Sequence, residues 1–211
     1  GLGDVYKRQS YLWYEKEDEV DYDLLSRNRY DLLRKAQNRF FASVPEDYQK
    51  FCEEEADWLE DFALFMSIKE THGGDQWFEW ERELKFREPA AMQAVREEHA
   101  EEISFWKMLQ YLFFKQWREL KAYANEKGIR IIGDVPIYVA GDSVDVWSNP
   151  SQFYLNENLE PIDVAGCPPD AFSADGQLWG NPLFRWDVMK EDGYSWWTMR
   201  MKKMSELYDV V

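Results

Sequence analysis

The side chains best suited to binding or chemistry gather after residue 133. Asp134 closes the run Ile129-Arg130-Ile131-Ile132-Gly133 and is followed by Val135-Pro136. The β-branched run reads as a strand and the proline cannot continue a central one, so a carboxylate sits at a strand's C-terminal end. The stretch 135–193 then mixes Tyr138, Trp147, Phe153, Tyr154, Phe172, Trp179, Phe184 and Trp186 with Asp142, Asp145, Asp163, Asp170, Asp175 and Asp187. Flat aromatic faces match the apolar C–H faces of pyranose rings, and carboxylates accept hydrogen bonds from sugar hydroxyls. A carbohydrate site is one reading of this mixture; a satellite core beneath a long loop is the other, and composition alone leaves both open. The two histidines, His72 and His99, have no cysteine cluster near them, which argues against a zinc site of the usual Cys/His kind. His99 falls on an apolar helical stripe and reads as a hydrogen-bonded core or boundary residue without a catalytic role.

Composition narrows the partners. The 211 residues carry 25 Lys+Arg against 41 Asp+Glu, a formal net charge of −16, so a nucleic-acid backbone or an anionic membrane surface is repelled. An apolar share of 45%, with 17% aromatic, can build a real core, and no apolar run is long enough to span a bilayer. Cys52 and Cys167 are too few and too far apart for a disulfide framework, which suits a reducing, cytoplasmic compartment. No metal or cofactor is expected.

The elements that must position Asp134 follow from periodicity. Leu24, Leu25, Leu32, Leu33, Ala36 and Phe40 predict a helix over 21–41, and Ser43-Val44-Pro45-Glu46 predicts a stop and a short helix from Glu46. Residues 58–66 are so continuously apolar after Asp61 that helix and strand are not separable. Pro89 and Gly128 bracket a stripe of Met92, Val95, His99, Ile103, Trp106, Leu109, Phe113, Trp117, Leu120 and Ala124 at steps of three or four. An unbroken helix there would be about 60 Å long, so a kink or break is expected. Glu97-Glu98 and Glu101-Glu102 read as its solvated face. The strand 129–134 follows, then a connection of about sixty residues where about two to six are ordinary. A helix over Tyr194–Tyr208 comes next, with Trp197, Met201, Met204 and Leu207 on one face, and Val210-Val211 opens another strand. Helix, strand, excursion, helix, strand is the order of a parallel α/β sheet, open or closed into a barrel, whose ligand site lies at the strand C-termini. Both ends look cut. The opening Gly1-Leu2-Gly3-Asp4-Val5-Tyr6-Lys7-Arg8-Gln9 reads as a foreign leader, 10–88 as a helical subdomain with part of the barrel, and 89–211 as barrel helix, strand, long substrate-binding loop (135–193), helix and the start of the next strand.

Three ordered blocks carry a specific resemblance. They are Ile132-Gly133-Asp134-Val135-Pro136-Ile137-Tyr138-Val139-Ala140 with Asp142-Ser143 and Asp145-Val146-Trp147; Val164-Ala165-Gly166-Cys167-Pro168-Pro169-Asp170-Ala171-Phe172-Ser173; and Gly176-Gln177-Leu178-Trp179-Gly180-Asn181-Pro182-Leu183-Phe184-Arg185-Trp186-Asp187. Together they closely resemble the 4-α-glucanotransferases called amylomaltase or disproportionating enzyme, glycoside hydrolase family 77. Phe62-Ala63-Leu64-Phe65-Met66, Phe113-Phe114-Lys115-Gln116-Trp117 and Lys121-Ala122-Tyr123-Ala124-Asn125 extend the likeness over residues 20–211.

The resemblance implies a partial (β/α)8 TIM barrel with a helical insertion and a long βα-loop subdomain, truncated at both ends. It also implies transfer of α-1,4-glucan segments between maltooligosaccharide donor and acceptor by a retaining double displacement, without a cofactor. The family's nucleophile lies in an Arg-Ile-Asp motif that would begin just after Val211, and its acid/base Glu and stabilising Asp come later, so no catalytic residue falls in this chain and the fragment should be inactive. What carries over is substrate binding. Asp134 matches the family's Asp at the end of the third barrel strand, Asp170, Ala171 and Phe172 match the loop covering the glucan, and Trp179, Asn181 and Pro182 match a segment lining the cleft, with Tyr138 in the first block beside them. Family members often hold an aromatic where Ala171 stands. An amylase-like hydrolase, a non-catalytic glucan-binding protein and an unrelated acidic α/β domain that engages a protein are the competing readings.

Overall fold

A computed structural model describes residues 18–211, in two compact units divided between Glu54 and Glu55. The leader expectation for residues 1–9 lies outside the described residues.

In the first unit, helix α1 (Tyr22–Ala42) starts where Asp21 accepts the Leu24 N–H at 2.8 Å, satisfying one of the four donors that a helix start leaves unpaired. Helix α2 (Glu46–Glu54) follows Pro45 with Glu46 and Asp47 in its first turn, where carboxylates favour the helix dipole. Tyr48 meets Phe40 edge-to-face at 5.1 Å and so folds α2 back on the end of α1. Both helices lie where periodicity placed them.

The second unit is built on helix α3 (Ala56–Thr71) and the long helix α6 (Ala100–Glu126), which pack against each other. The ambiguous run 58–66 is helical: α3 buries Leu59, Ala63, Leu64, Phe65 and Ile68, a face so wide that no amphipathic period could show. Trp58 contacts Phe114 at 5.6 Å and Phe62 contacts Trp106 at 6.3 Å across the pair. Between them come a 3-10 turn (Trp77–Glu79), α4 (Arg82–Lys85) and α5 (Pro89–Glu98). The expected break in the 89–128 helix falls at His99, which ends α5 and precedes α6. In a continuous helix Glu97 would face Glu101, and Glu98 would face Glu102, one turn on; each like pair costs a few tenths of a kcal/mol. Trp106 of the predicted stripe is buried together with Phe105, Met108, Tyr111 and Phe114, whereas the predicted Phe113 and Leu120 are exposed at 56% and 54%.

Residues 129–134 form less than the six-residue strand expected. A parallel bridge joins Ile132 to Val210, with Gly133 N–H donating to Val210 O at 2.8 Å and Asp209 N–H to Ile131 O at 2.9 Å. The bridge has the parallel sense that the alternation predicted, yet among the described residues helices dominate and the sheet is a small antiparallel one. Glycine at 133 is required here, since a Cβ would lie 2.1 Å from the Tyr208 ring. Asp209 staples the junction by accepting from Ile131 N–H and Asn125 Nδ2, both at 2.8 Å.

The long excursion is a structured subdomain. Helix α7 (Val144–Ser148) leads to a 3-10 turn (Pro150–Gln152), then strands β1 (Val164–Cys167) and β2 (Gln177–Pro182) pair antiparallel with a bulge between Val164 and Gly166, and α8 (Trp186–Glu191) precedes α9 (Ser195–Leu207). The satellite-core reading of its aromatics holds for three of them: Trp147, Phe153 and Phe184 are buried in one cluster with Leu64, Phe65 and Trp80. On α9 the buried residue is Trp196, one position before the predicted Trp197, and Met201 is exposed. Trp117 Nε1 and Lys121 Nζ from α6 donate to the carbonyls of Leu207 (2.9 Å) and Glu206 (3.0 Å), closing acceptors that the end of α9 leaves unpaired.

Candidate functional site

Tyr138 follows the bridge at Ile132 and rests on the buried Phe184, the two rings parallel within 9° at 6.1 Å. Trp179, from β2, meets the same Tyr138 ring at 6.2 Å with 53° between planes. Trp179 is 49% exposed, and its indole N–H donates to Gln177 Oε1 at 3.0 Å, which holds the ring to its own strand. The result is an angled aromatic pair with a buried aromatic beneath it, a surface that fits the faces of a sugar better than it fits an ion.

The loop 168–176 between β1 and β2 is pinned from inside. Asp170 Oδ1 accepts from the N–H groups of Phe172 and Ser173, each at 2.8 Å, and Ser173 Oγ donates to Gly176 O at 2.6 Å. Asp170 thereby shapes the turn that presents Phe172, which is 95% exposed. A phenyl group that buries nothing in the fold is an uncommon expense, and covering it with ligand would recover about 1.5–3 kcal/mol. Ala171 beside it offers only a methyl group.

Asp134 is exposed, and among the described residues its carboxylate makes no hydrogen bond or ion pair, so it does not cap the turn at Pro136. The other two residues carried over from the resemblance face inward. Asn181 donates its amide to Val139 O at 2.7 Å, tying β2 to the segment after Tyr138. Pro182 is fully buried opposite Val164 and packs the base of the hairpin. The structure therefore brings Tyr138, Trp179 and Asn181 together, sets Phe172 at the hairpin tip, and leaves Asp134 free on the segment before Tyr138.

Sequence reading gave no individual role to three acids of this unit. Asp142 Oδ2 pairs with Lys69 Nζ at 2.5 Å while Oδ1 accepts the Trp77 N–H at 3.3 Å. Asp145 is pushed above the ordinary aspartate range by burial, which the charge of Arg200 only partly offsets; Arg200 itself lies over the Trp196 and Trp197 rings at 5.3 and 5.1 Å. Glu55, 2% exposed, accepts from Trp58 Nε1 at 2.6 Å and Lys203 Nζ at 2.7 Å, with Arg118 at 3.3 Å. Burial alone would raise the Glu55 carboxyl, but these donors and charges outweigh it and hold it below the usual range. The acids are legible as letters; the partners, many positions away, are not. Among the described residues no three His, Cys, Asp or Glu side chains are grouped to hold a metal ion, no helix is long and apolar enough to cross a membrane, and neither Cys52 nor Cys167 forms a disulfide.

The sequence profile of a family described as 4-alpha-glucanotransferase matches residues 4–211. A 4-alpha-glucanotransferase of Clostridium butyricum is 44% identical over 198 residues, covering 93% of this chain and 41% of the relative, and one from Thermus thermophilus is 47% identical over 196 residues, covering 91% and 39%. The solved structure titled amylomaltase from Streptococcus agalactiae in complex with acarbose superposes with a TM-score of 0.91 at 42% identity, over 98% of this chain and 42% of that one. The chain spans about two-fifths of the length of the curated relatives it matches.

Proposed function

Since the chain belongs to the 4-alpha-glucanotransferase family, glycoside hydrolase family 77, we propose that it forms one wall of a glucan-binding cleft in an enzyme that transfers α-1,4-glucan segments between maltooligosaccharides. In this reading the unit Glu55–Val211 is part of a (β/α)8 barrel, with the Ile132–Val210 bridge as a piece of its parallel sheet and the hairpin subdomain rising from one strand's C-terminal end. The observation that carries the reading is the contact between the partly buried Tyr138 and the half-exposed Trp179, which lies within the blocks that resemble the family.

The roles follow from what each group presents. Trp179 and Tyr138 stack against glucose rings, Phe172 closes over the chain next to the scissile bond, and Asp134 hydrogen-bonds a sugar hydroxyl at the cleavage point. Asp170 serves by shaping the turn beneath Phe172. Transfer by a retaining route needs two carboxyl groups about 5–5.5 Å apart, a nucleophile and an acid/base, and these come from outside residues 1–211. What this wall contributes is a defined sugar position and exclusion of water, so that a second glucan 4-OH, rather than water, attacks the glycosyl intermediate. A cytoplasmic location belongs to the same proposal, in keeping with two cysteines that form no disulfide among the described residues.

Titration of the 211-residue chain with maltoheptaose, followed by tryptophan fluorescence and calorimetry, tests the reading. Saturable binding that Trp179→Ala weakens by about 1–3 kcal/mol is expected, the value of an aromatic stacking contact. The chain alone should release no product from maltotriose. Binding that is absent in the folded wild type, or unaltered in Trp179→Ala, overturns the cleft.

A further inference from the structure

The segment after Tyr138 is held from two opposite sides. From the helical side, Asp142 places both carboxylate oxygens on donors, Oδ2 on Lys69 Nζ and Oδ1 on Trp77 N–H, while Trp77 Nε1 donates to Gly141 O at 2.8 Å. Lys69 is itself tied to Asp75 O at 3.3 Å, so its ammonium is not free to follow the loop. From the hairpin side, Asn181 donates to Val139 O at 2.7 Å. Lys69 and Asp142 are both partly buried, and Trp77 and Val139 are buried in the main cluster. A charge-assisted contact in such a setting keeps more of its strength than a surface pair does.

We propose that Asp142 is a positioning residue for glucan binding: with Asn181 it clamps the segment 139–142 between α3 and β2, and so fixes the angle and separation of the Tyr138 and Trp179 rings. The proposal rests on the reading of those rings as a sugar surface. Two residues carry the rings, and they belong to segments with no ladder between them; β2 pairs with β1, and Tyr138 lies in an irregular stretch. Without the clamp, Tyr138 keeps its stack on Phe184 but the loop that sets its backbone loses its anchor on α3. Asn181, carried over from the resemblance as a sugar-facing residue, acts in this geometry through Val139.

The deciding variant is Asp142→Asn. Lys69 and the Trp77 amide are both donors, whereas an asparagine offers one acceptor oxygen and one donor NH2, so one contact must be lost in either orientation. Maltoheptaose affinity of the 211-residue chain should fall about tenfold, and amide hydrogen exchange should speed up at residues 138–142 while α6 stays protected. Lys69→Met should reproduce both effects and Lys69→Arg should retain wild-type behaviour. Glu60→Gln, which removes the Lys107 partner on the outer side of α3, supplies a control for lost stability. Equal affinity in Asp142→Asn and wild type, or an equal loss in Glu60→Gln, overturns the positioning role. If the wild type binds no glucan, the sugar reading fails, and the clamp is then judged on exchange alone: unchanged protection at 138–142 in Asp142→Asn refutes it.

Discussion

Glu55 offers the sharpest test of how the second unit is held together. Its carboxylate is 2% exposed at the start of α3, and it joins three helices by accepting from Trp58 on α3 and Lys203 on α9 and by pairing with Arg118 on α6. Arg118 is half exposed and contributes little through water. The Lys203 and Trp58 contacts are short, and Lys203 is mostly buried. Removing one member of such a pair strands the other, at a cost of about 3–5 kcal/mol when burial is complete. Lys203 keeps Glu206 as a second partner at 2.8 Å, which lowers the expectation for Glu55→Gln to about 2–3 kcal/mol. At about 2–4 °C per kcal/mol for a chain of this size, the melting midpoint should drop by about 4–12 °C. The pH dependence supplies a second signature. The folded-state pKa of Glu55 is depressed, so its stabilisation is present above the unfolded value and is lost as pH falls through the folded one. Wild type should therefore lose more stability than Glu55→Gln on going from pH 6 to pH 3. Thermal melts of the two proteins at several pH values measure both effects, and a shift under about 1 °C with parallel pH profiles would refute the buried junction.

Three further outcomes follow from the same reasoning. His72 donates from Nδ1 to Ile68 O (2.8 Å) and from Nε2 to Glu81 Oε2 (2.9 Å), and although burial lowers its pKa, these contacts raise it overall; its stabilisation is full below the unfolded value and fades as pH rises through the folded one, so the midpoint of wild type should fall between about pH 6 and 8 relative to His72→Gln. Phe172→Ala should leave the melting curve within about 0.5 kcal/mol of wild type, because the ring buries nothing, yet weaken maltoheptaose binding; in an enzyme completed with its catalytic carboxylates it should raise hydrolysis relative to transfer, read from the glucose and oligosaccharides formed from maltotriose. In that completed enzyme Asp134→Asn should lower kcat by about 2–4 kcal/mol of activation free energy with little change in binding of an unreactive glucan, and an unchanged kcat removes Asp134 from the cleavage point.

How far sequence alone carries depends on the range of the interaction concerned. Asp21 as a helix cap and Pro45 before Glu46 act within one turn, and α1 and α2 stand where they were expected. A break within 89–128 was expected from length, but its place at His99 and the exposure of Phe113 and Leu120 depend on what α6 meets in α3. The aromatics show the limit most plainly. Trp147 and Trp179 are the same letter in the first and third blocks, one buried beneath Trp80 and Phe65, the other half in solvent beside Tyr138.

A motif transfers identity and order, and it does not transfer orientation. Asp134, Phe172, Asn181 and Pro182 all arrive from the same resemblance, yet two face outward, one spends its amide on a backbone carbonyl, and one is sealed under a strand. Local contacts sort them, and some partners are remote in sequence: Asp142, which holds the segment that Asn181 also ties, finds its partner Lys69 73 positions earlier on α3. The proposed sugar surface, with Tyr138 on an irregular segment and Trp179 on β2, must take its precision from the regular elements that hold it. In this chain those elements are α3 and β2, and the residues that couple them to the site carry charge or an amide where a contact with sugar would have been the simpler expectation.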